Sequence, residues 1–448
     1  MEAESRRFDG GDAALHVAAQ QGSERRAAAL LSNGSIDINQ TLGQHDFTPL
    51  MVAAQYGHSR VVRLLLRKGA SISVADTRGY TVLHVSAQSG RLAVTKMLLG
   101  AGSDLHAKST QGATPLHIAS DEGHAEVMQA LIEAGADPDC RSHDGATPML
   151  RAAREGHLEA IRVLLRANAN LMLACKPFFT GEMIAPLQMA AQHGFDEMVR
   201  EMIKHGAIEG LDGAIGGIHA LSHASGYGHV DVMATLTDAG VIGCGQALFN
   251  ACVAGHEACV KFFLLWQQKR GKDPAAGVLL DWDSTDFSSL GKTPLLESID
   301  VRVNELCRPR IVRLLIDAGA DTRSRVRFRR RDNDAEVTET PLDLTTRKLD
   351  EKMIDGEVAT EEQLHRLEAV RRLLLQVQAV RAISWSWPRD VHASFTDAGK
   401  RTRSKRNPPV SMRTMLPLLR RRARKRGVLL GVAVSSRYSS QKCGTPSA

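Results

Sequence analysis

The sequence predicts an all-α solenoid, in which short helix pairs stack side by side and β-hairpin fingers connect them. One helix-starting segment returns at Thr48, Thr81, Thr114 and Thr147, at intervals of 33 residues. Aromatic residues make up only 4% of the 448 residues, which suits many small, closely stacked helices better than one large aromatic core. A fixed period of this length is typical of repeat architectures.

Each copy of the segment begins with residues suited to starting a helix and ends with one suited to stopping it. The four copies read TPLMVAAQYGH, TVLHVSAQSGR, TPLHIASDEGH and TPMLRAAREGH. The threonine hydroxyl accepts a hydrogen bond from an otherwise unpaired amide, and proline fits the first helical position because its missing N–H costs nothing there. Glycine ends the helix because it adopts the left-handed conformation without strain. We therefore predict a short first helix in each repeat.

A second helix is predicted after each of these glycines. The segments VVRLLLRKGA, VTKMLLGAGS, VMQALIEAGA and AIRVLLRANA place their apolar residues at helical spacing. Glycine ends three of them, and Asn168 takes the equivalent left-handed position in the fourth, since asparagine tolerates it. Polar turns such as Asp76–Gly79 and His143–Gly145 lie between the helix pairs and are suited to the tips of the fingers.

These features resemble the ankyrin repeat family, whose motif T-P-L-H-x-A stands intact from Thr114 to Ala119. The resemblance implies that partners contact the concave side, through the finger tips and the two positions before the glycine of each first helix. Degenerate copies extend the solenoid to about ten repeats over residues 10–383, with a weaker pattern after about residue 245. Further repeat starts fall at Ala13, Ala185, His219, Gln246, Thr293 and Thr340.

The spacing is uneven outside the central repeats. A step of 38 residues predicts an extended loop at residues 176–179, and two steps of 47 predict long fingers at residues 266–287 and 323–331. A step of 27 predicts a shortened finger before Gln246. The glycines of residues 210–217 are interpreted as an ordinary turn between two repeats.

The last predicted helix spans residues 361–383 and is expected to cap the solenoid, because an end repeat has no neighbour to cover it. Thr360 and Gln363 have the spacing of a capping box. The apolar stripe of this helix comprises Leu364, Leu367, Val370, Leu373, Leu374 and Val377. The opposite face offers two charge pairs, Glu362 with Arg366 and Glu368 with Arg372.

The two ends of the chain are predicted to lie outside the solenoid. Residues 1–9 are expected to be a flexible N-terminus and residues 384–448 a disordered basic tail. The segment from Lys400 to Arg426 holds twelve Lys or Arg and no acid, whereas residues 1–399 hold 43 bases and all 50 acids. The basic clusters of the tail comprise Lys400, Arg401, Lys405, Arg406, Arg420, Arg421, Arg422, Arg424, Lys425 and Arg426.

Cysteine usage and hydropathy indicate a cytoplasmic or nuclear protein. The seven cysteines are an odd number without a repeating pair, which favours free thiols in a reducing compartment. The N-terminal segment MEAESRRFDGGD lacks the apolar stretch of a secretory signal. The longest apolar runs, residues 262–266 and 428–434, are far shorter than the roughly 20 residues that span a bilayer. No membrane span is expected.

Eight of the 17 histidines recur with the repeat. The resemblance implies that the rings of His16, His84 and His117 tie adjacent turns together. A second periodic set follows the helix-ending glycines and comprises His58, His124, His157, His229 and His256. A residue that recurs in every repeat does not mark a single active site, so we assign these rings structural roles.

Cys252, His256 and Cys259 have a spacing that also fits zinc. The repeat phase aligns Cys252 with Ala54 and Cys259 with Val61, both core positions, where cysteine behaves as a small hydrophobe. A closed structural zinc site needs four ligands, and the sequence offers no evident fourth. We therefore expect no metal and no cofactor. Nucleotide-binding and hydrolase motifs are also absent from the sequence, so no enzymatic function is expected.

The variable positions implied by the resemblance supply the candidate protein-binding residues. They are Phe47, Arg78, Tyr80 and Asp144 at the finger tips, and Tyr56, Asp121, Glu122, Arg154 and Glu155 on the first helices. Aromatic and arginine side chains contribute disproportionately to interface energy, so replacing Tyr56 and Tyr80 together by Ala is predicted to abolish partner capture. The alternative is that these side chains are solvated or paired within the protein.

The predicted function is that of a non-catalytic scaffold or adaptor that binds another protein, whose identity the sequence does not give. For the tail, three alternatives stay open: a signal for a nuclear import receptor, a nucleic-acid tether, or a solvated segment that docks on the acidic body. A ubiquitin-ligase substrate adaptor is a further alternative. Residues 411–431 resemble, in Leu and Arg spacing, the box that recruits such a ligase, but they lack its cysteine.

Overall fold

The computed structural model describes residues 11–32, 36–43, 46–175, 183–270, 292–299, 308–323, 325–329, 336–351, 353–354 and 357–385. The chain divides into two units, Met1–Gln378 and Ala379–Ala448. The second unit is described only in residues 379–385, which are helical. The predicted N-terminal segment 1–9, the loop 176–179 and the tail cluster from Lys400 to Arg426 lie outside the described residues.

The described helices alternate between a first and a second helix of each repeat. The first helices are α1 (Gly11–Gln20), α3 (Pro49–Tyr56), α5 (Val82–Gln88), α7 (Pro115–Asp121), α9 (Pro148–Glu155), α11 (Pro186–His193), α13 (Gly210–Tyr227), α15 (Cys244–Ala254), α17 (Pro294–Ile299) and α19 (Pro341–Glu351). The second helices are α2 (Glu24–Ser32), α4 (Ser59–Arg67), α6 (Leu92–Gly100), α8 (Ala125–Glu133), α10 (Leu158–Arg166), α12 (Asp196–Lys204), α14 (Val230–Asp238), α16 (Glu257–Arg270), α18 (Pro309–Ala318) and α20 (Glu361–Trp385).

Successive repeats stack in two layers. Each first helix from α1 to α17 packs against the next first helix, and each second helix from α2 to α16 packs against the next second helix. The core lies between these layers, where residues of equivalent position such as Leu50, Leu83 and Leu116 are fully buried or nearly so. This arrangement is the solenoid of stacked helix pairs that the 33-residue period predicts.

The helix boundaries follow from the capping residues. Thr48 Oγ1 accepts a hydrogen bond from the Met51 amide at 3.2 Å, and Thr147 Oγ1 accepts one from the Leu150 amide at 3.3 Å. Asn168 adopts a left-handed φ of 55°, which confirms its predicted role as a substitute for glycine.

One set of histidines links each repeat to the following one. Nε2 of His84 donates to the Ala113 carbonyl at 3.1 Å, while its Nδ1 accepts from the Thr81 amide at 3.2 Å. His16 makes the corresponding Nε2 bond, to the Phe47 carbonyl at 2.9 Å. The structural role predicted for these rings is confirmed. Both ring nitrogens of His84 therefore have a hydrogen-bond partner when the ring is neutral. Burial lowers the pKa of this imidazole.

A second set of histidines links each repeat to the preceding one. Nε2 of His124 lies 3.0 Å from the Gln88 carbonyl, and Nε2 of His157 lies 2.9 Å from the Asp121 carbonyl. The corresponding bonds of His58, His229 and His256 reach the carbonyls of Gln20, Gln192 and Gly226. The His157 ring also lies against Gly123 and leaves no space for a side chain at that position. The φ of +74° at Gly123 is a second reason for glycine there.

The fingers are mostly short loops held by single bridges and side-chain caps. Isolated antiparallel bridges join Leu42 to Phe47 and Ala75 to Thr81. Adjacent fingers contact each other through the backbone, since the Thr110 amide donates to the Arg78 carbonyl at 2.9 Å. Longer hairpins occur near the end, where β1 (Val326–Arg329) pairs with β2 (Glu336–Glu339) and β3 (Met353–Ile354) pairs with β4 (Glu357–Val358), both antiparallel.

Two predicted loops prove to be helical in part. The glycines of residues 210–217 were interpreted as a turn, but they form the first two turns of α13. Only residues 205–209 separate α12 from α13, which leaves no room for a finger, and Gly217 allows Val241 and Ile208 to approach closely. The long finger predicted at residues 266–287 was also wrong at its start, because α16 continues to Arg270 without a glycine to end it before Gly271.

The final helix begins at the predicted capping box. The Thr360 amide donates to Gln363 Oε1 at 2.8 Å, and the Gln363 amide donates to Thr360 Oγ1 at 3.3 Å. The apolar stripe faces inward, with Leu367, Val370 and Leu374 fully buried. The two predicted charge pairs are present, at 2.7 Å for Glu362 with Arg366 and 3.1 Å for Glu368 with Arg372.

Candidate binding surface

The side chains at the two positions before the glycine of each first helix form one row along the first-helix layer. We call this row the pre-glycine surface. It comprises Gln20, Gln21, Gln55, Tyr56, Gln88, Ser89, Asp121, Glu122, Arg154, Glu155, Gln192, His193, Gly226 and Tyr227. All of these residues are exposed or half-buried, although neighbouring positions of the same helices are buried. The surface is therefore available to a partner along seven repeats.

Two tyrosines are the most exposed aromatic side chains of this surface. Tyr56 is 45% exposed, and its hydroxyl accepts a hydrogen bond from Gln20 Nε2 of the preceding repeat at 3.1 Å. Tyr227 is 56% exposed, and its hydroxyl accepts the same kind of bond from Gln192 Nε2 at 3.0 Å. Because an amide already donates to each phenol oxygen, each hydroxyl proton stays available to an acceptor on a partner.

A charge cluster lies between the two tyrosines. Arg151 is 8% exposed, and its Nη1 donates to Asp121 Oδ2 at 2.5 Å. Arg154 reaches the other carboxylate oxygen of Asp121 at 3.3 Å and also pairs with Glu155 at 2.7 Å. Burial raises the pKa of the Asp121 carboxyl, and the two arginines offset this only in part. The predicted residues Asp121, Arg154 and Glu155 are thus brought together, and they are paired within the protein.

The finger residues Arg78 and Tyr80 form a compact stack. The Arg78 guanidinium lies 4.2 Å from the centre of the Tyr80 ring and 6.0 Å from that of Phe47. It also pairs with the buried Asp76 at 2.9 Å. The Tyr80 ring also stacks on His84, with the ring centres 5.2 Å apart. Burial raises the pKa of the Tyr80 phenol, against the opposing effect of Arg78.

The remaining predicted residues are placed differently. Glu122 is exposed on the pre-glycine surface. Asp144 lies at a finger tip, where its carboxylate accepts hydrogen bonds from the Ser142 hydroxyl at 2.5 Å and the Ala146 amide at 3.1 Å. Burial alone would raise the pKa of Asp144, but these hydrogen bonds lower it overall. Asp144 therefore shapes its own finger.

A model of the family described as ankyrin repeats (3 copies) matches residues 2–76 and 83–175. The matched segments cover the four strictly spaced repeats, apart from residues 77–82, together with the helix pair before them. This part of the chain consists of ankyrin repeats. No curated protein matches the chain. Ankyrin repeats are generally protein–protein interaction modules, and the proteins that carry them are typically non-catalytic binding scaffolds.

Two residues that shape the pre-glycine surface are not among the residues predicted from the sequence. Tyr227 precedes Gly228 as Tyr56 precedes Gly57, so the repeat phase could have found it. It was overlooked because that repeat lacks the Thr-Pro start. Arg151 stands at the position that Ile118 occupies in the preceding ankyrin repeat. A charged residue at a position that is otherwise apolar indicates a partner of opposite charge, so the repeat phase could have found Arg151 as well.

The two cysteines considered for zinc, Cys252 and Cys259, lie in the core. Both are fully buried, as the repeat phase predicts. Burial raises the pKa of the Cys252 thiol to about 12 and that of Cys259 to about 11, so both stay protonated. In the part of the chain that the structure describes, no group of three or more His, Cys, Asp or Glu side chains is arranged to hold a metal ion. Within the same residues, no helix has the length and apolarity needed to cross a membrane.

Proposed function

We propose that this ankyrin protein is a non-catalytic scaffold or adaptor that binds a partner protein on the pre-glycine surface. The observation that carries the proposal is the exposure of Tyr56 and Tyr227 at equivalent positions five repeats apart. An isolated exposed apolar side chain needs no explanation, but aromatic rings held in one orientation by a neighbouring repeat are suited to interface anchors. Little side-chain entropy remains to be lost when a partner covers them.

The charge cluster supports the same surface as the contact region. Asp121 and Arg151 form a partly desolvated ion pair between the tyrosines, and such pairs contribute more to specificity than to stability. The candidate residues Phe47, Arg78 and Tyr80 extend the contact region onto the fingers. Of these, Tyr80 contacts both Arg78 and His84, so its role includes support of the finger.

The experiment is affinity capture from an extract of the source organism with the full-length protein. The Tyr56→Ala/Tyr227→Ala variant is expected to lose the partners that the unaltered protein retains, with no change in its helical circular dichroism. A matched variant, Leu265→Ala/Leu375→Ala, removes two similarly exposed apolar side chains from the second helices α16 and α20, 59% and 46% exposed. Equal loss in both variants, or retention in both, contradicts the proposal.

Tyr56 and Tyr227 are the better pair for this test than Tyr56 and Tyr80. Replacing Tyr80 removes a ring that stacks on both Arg78 and His84. A loss of partner binding could then come from a disordered finger as well as from the missing contact with the partner. Tyr56 and Tyr227 are 45% and 56% exposed, and Tyr56 stacks only loosely on His58, with the ring centres 6.2 Å apart.

A second candidate function rests on the charge of the tail. Twelve Lys or Arg between Lys400 and Arg426 favour binding to nucleic acid or to an import receptor, with a cytoplasmic and nuclear distribution of the protein. Deletion of residues 384–448 would then abolish nucleic-acid retention or nuclear accumulation. Nucleic-acid binding through the tail should weaken steeply with salt, while capture by the pre-glycine surface should depend on salt much less.

A further inference from the structure

A groove lies in the second-helix layer near the end of the solenoid, on the layer opposite to the pre-glycine surface. It runs between α18 and α20 beside the start of α16, and it has a volume of about 470 Å³. Its floor is apolar and is formed by Pro309, Leu314, Ala369 and Leu373. A volume of this size accommodates apolar side chains from a binding partner.

The rim of the groove is basic. Arg310, Arg313 and Arg372 line it, and their side chains are 86%, 59% and 70% exposed. Arg313 and Arg372 each pair with an acid one turn away on the same helix, and Arg310 lies 3.8 Å from Glu257. Exposed pairs of this kind contribute little, so a partner's carboxylates can replace or share them.

The charge of the surrounding helices distinguishes this end of the layer from its middle. Among the side chains that the structure describes in α16, α18 and α20, six are Lys or Arg and five are Asp or Glu. Helices α8, α10, α12 and α14 hold four bases and eight acids. The nine residues that line the groove include three arginines and one acid, Glu257, so the groove attracts an acidic ligand more than the acidic middle of the layer does.

We propose that this groove binds an acidic amphipathic helix of a partner protein. Apolar side chains on one face of the helix enter the floor, and acidic side chains on either side of that face meet Arg310, Arg313 and Arg372. A helix suits the site because the groove is bounded by the faces of two helices, and ridges of a third helix pack into such a groove. The apolar floor favours a peptide over nucleic acid, because none of the described residues that line the groove has an aromatic side chain on which bases could stack.

The test uses fluorescence anisotropy with synthetic probes and the full-length protein. The probe is a labelled 18-residue helix made of Leu, Ala and Glu, with leucine along one face. Two comparison helices replace Glu by Lys or Leu by Ala, and a labelled oligouridine of 15 nucleotides represents nucleic acid. We expect saturable binding of the first helix and at least tenfold weaker binding of both comparison helices. Variants that alter the groove should leave oligouridine binding unchanged.

Two variants separate groove binding from general charge attraction. Arg310→Glu/Arg313→Glu/Arg372→Glu should weaken binding of the acidic helix at least tenfold. Arg60→Glu/Arg63→Glu/Arg67→Glu changes three exposed arginines of α4 and should weaken it less than twofold. A third variant, Ala369→Tyr, fills the floor without changing charge and should also abolish binding, which keeps the test decisive if the triple variant misfolds.

Several outcomes overturn the proposal. The first is that the acidic helix does not bind, and the second is that both triple variants weaken its binding equally. The third is that the helix without leucine binds as tightly as the acidic helix. The fourth is that the groove variants lose oligouridine binding but keep helix binding. Because the probes do not contact Tyr56 or Tyr227, none of these outcomes bears on the function proposed for the pre-glycine surface.

Discussion

The imidazole of His117 joins two consecutive repeats: its Nε2 donates to the carbonyl of Ala146 at 3.0 Å. On the other side of the ring, Nδ1 accepts from the Thr114 amide at 3.2 Å. The side chain is fully buried, and burial lowers the pKa of His117 to about 4. The ring is therefore neutral in the folded protein under conditions where an exposed histidine begins to gain a proton.

This burial predicts acid sensitivity. Because the folded-state pKa is below the unfolded value of 6.5, the unfolded chain takes up the proton first, and stability falls as pH drops from about 6.5 to about 4. His117 contributes roughly 3 kcal/mol to that loss. Urea unfolding at several pH values measures it.

The control for this prediction is His117→Gln. Gln188 stands at the equivalent position of another repeat, where its Oε1 accepts from the Ala185 amide at 2.8 Å, so glutamine is compatible with this site. The variant should lose about 1 kcal/mol or less at pH 7 and should show a shallower fall toward pH 4. An unchanged slope would contradict the assignment of the pH dependence to His117.

Replacing Gly123 by Ala should destabilise the central repeats for two reasons. The residue has a φ of +74°, which strains any side chain, and the added Cβ would lie 2.5 Å from the His157 ring. Gly69→Ala has a similar φ of +86° but meets nothing within 4 Å, so it measures the backbone strain alone, about 1 kcal/mol. We expect Gly123→Ala to cost at least about 1 kcal/mol more in urea unfolding. Equal costs would show that the His157 ring moves aside freely.

Replacing Asp121 by Asn should leave Arg151 buried without a counter-charge. Breaking such a pair costs about 2–4 kcal/mol when the remaining charge is buried, and Arg151 is only 8% exposed. Combining Asp121→Asn with Arg151→Ile, the residue type of the equivalent position 118, should restore most of the stability. Thermal unfolding of the single and double variants gives the coupling, and additive effects would contradict a direct ion pair.

The capping box of α20 should contribute to the stability of the last repeat. Thr360→Ala removes the acceptor of the Gln363 amide and is expected to cost about 1 kcal/mol. Glu362→Ala breaks only the exposed pair with Arg366 and should cost no more than about 0.5 kcal/mol. Hydrogen exchange of the α20 amides reports both changes, and the prediction fails if the two variants behave alike.

Local capping chemistry made much of the fold predictable. Thr48 and Thr147 cap their helices, Asn168 adopts the left-handed conformation, and Thr360 with Gln363 forms the capping box. Each of these outcomes depends on residues within a few positions of one another. Local spacing therefore carried enough information to predict them.

Features that depend on neighbouring repeats were harder to predict. The helical start of α13 is set by the short link from α12 and by packing of Gly217 against Val241, neither of which the glycine pattern reveals. The pairing of Asp121 with Arg151 joins residues 30 positions apart. The repeat phase thus predicted where the candidate binding residues lie within each repeat, while their partners within the protein depend on the three-dimensional stacking.

The most direct test of the proposed binding surface is site-specific photocrosslinking of the captured partner. A benzoylphenylalanine at position 55 or 192 would lie on the pre-glycine surface, and one at position 63 or 200 would lie on the exposed side of the second helices α4 and α12. We expect covalent adducts with the partner from positions 55 and 192 and none from positions 63 and 200. Adducts confined to positions 63 and 200 would contradict the account.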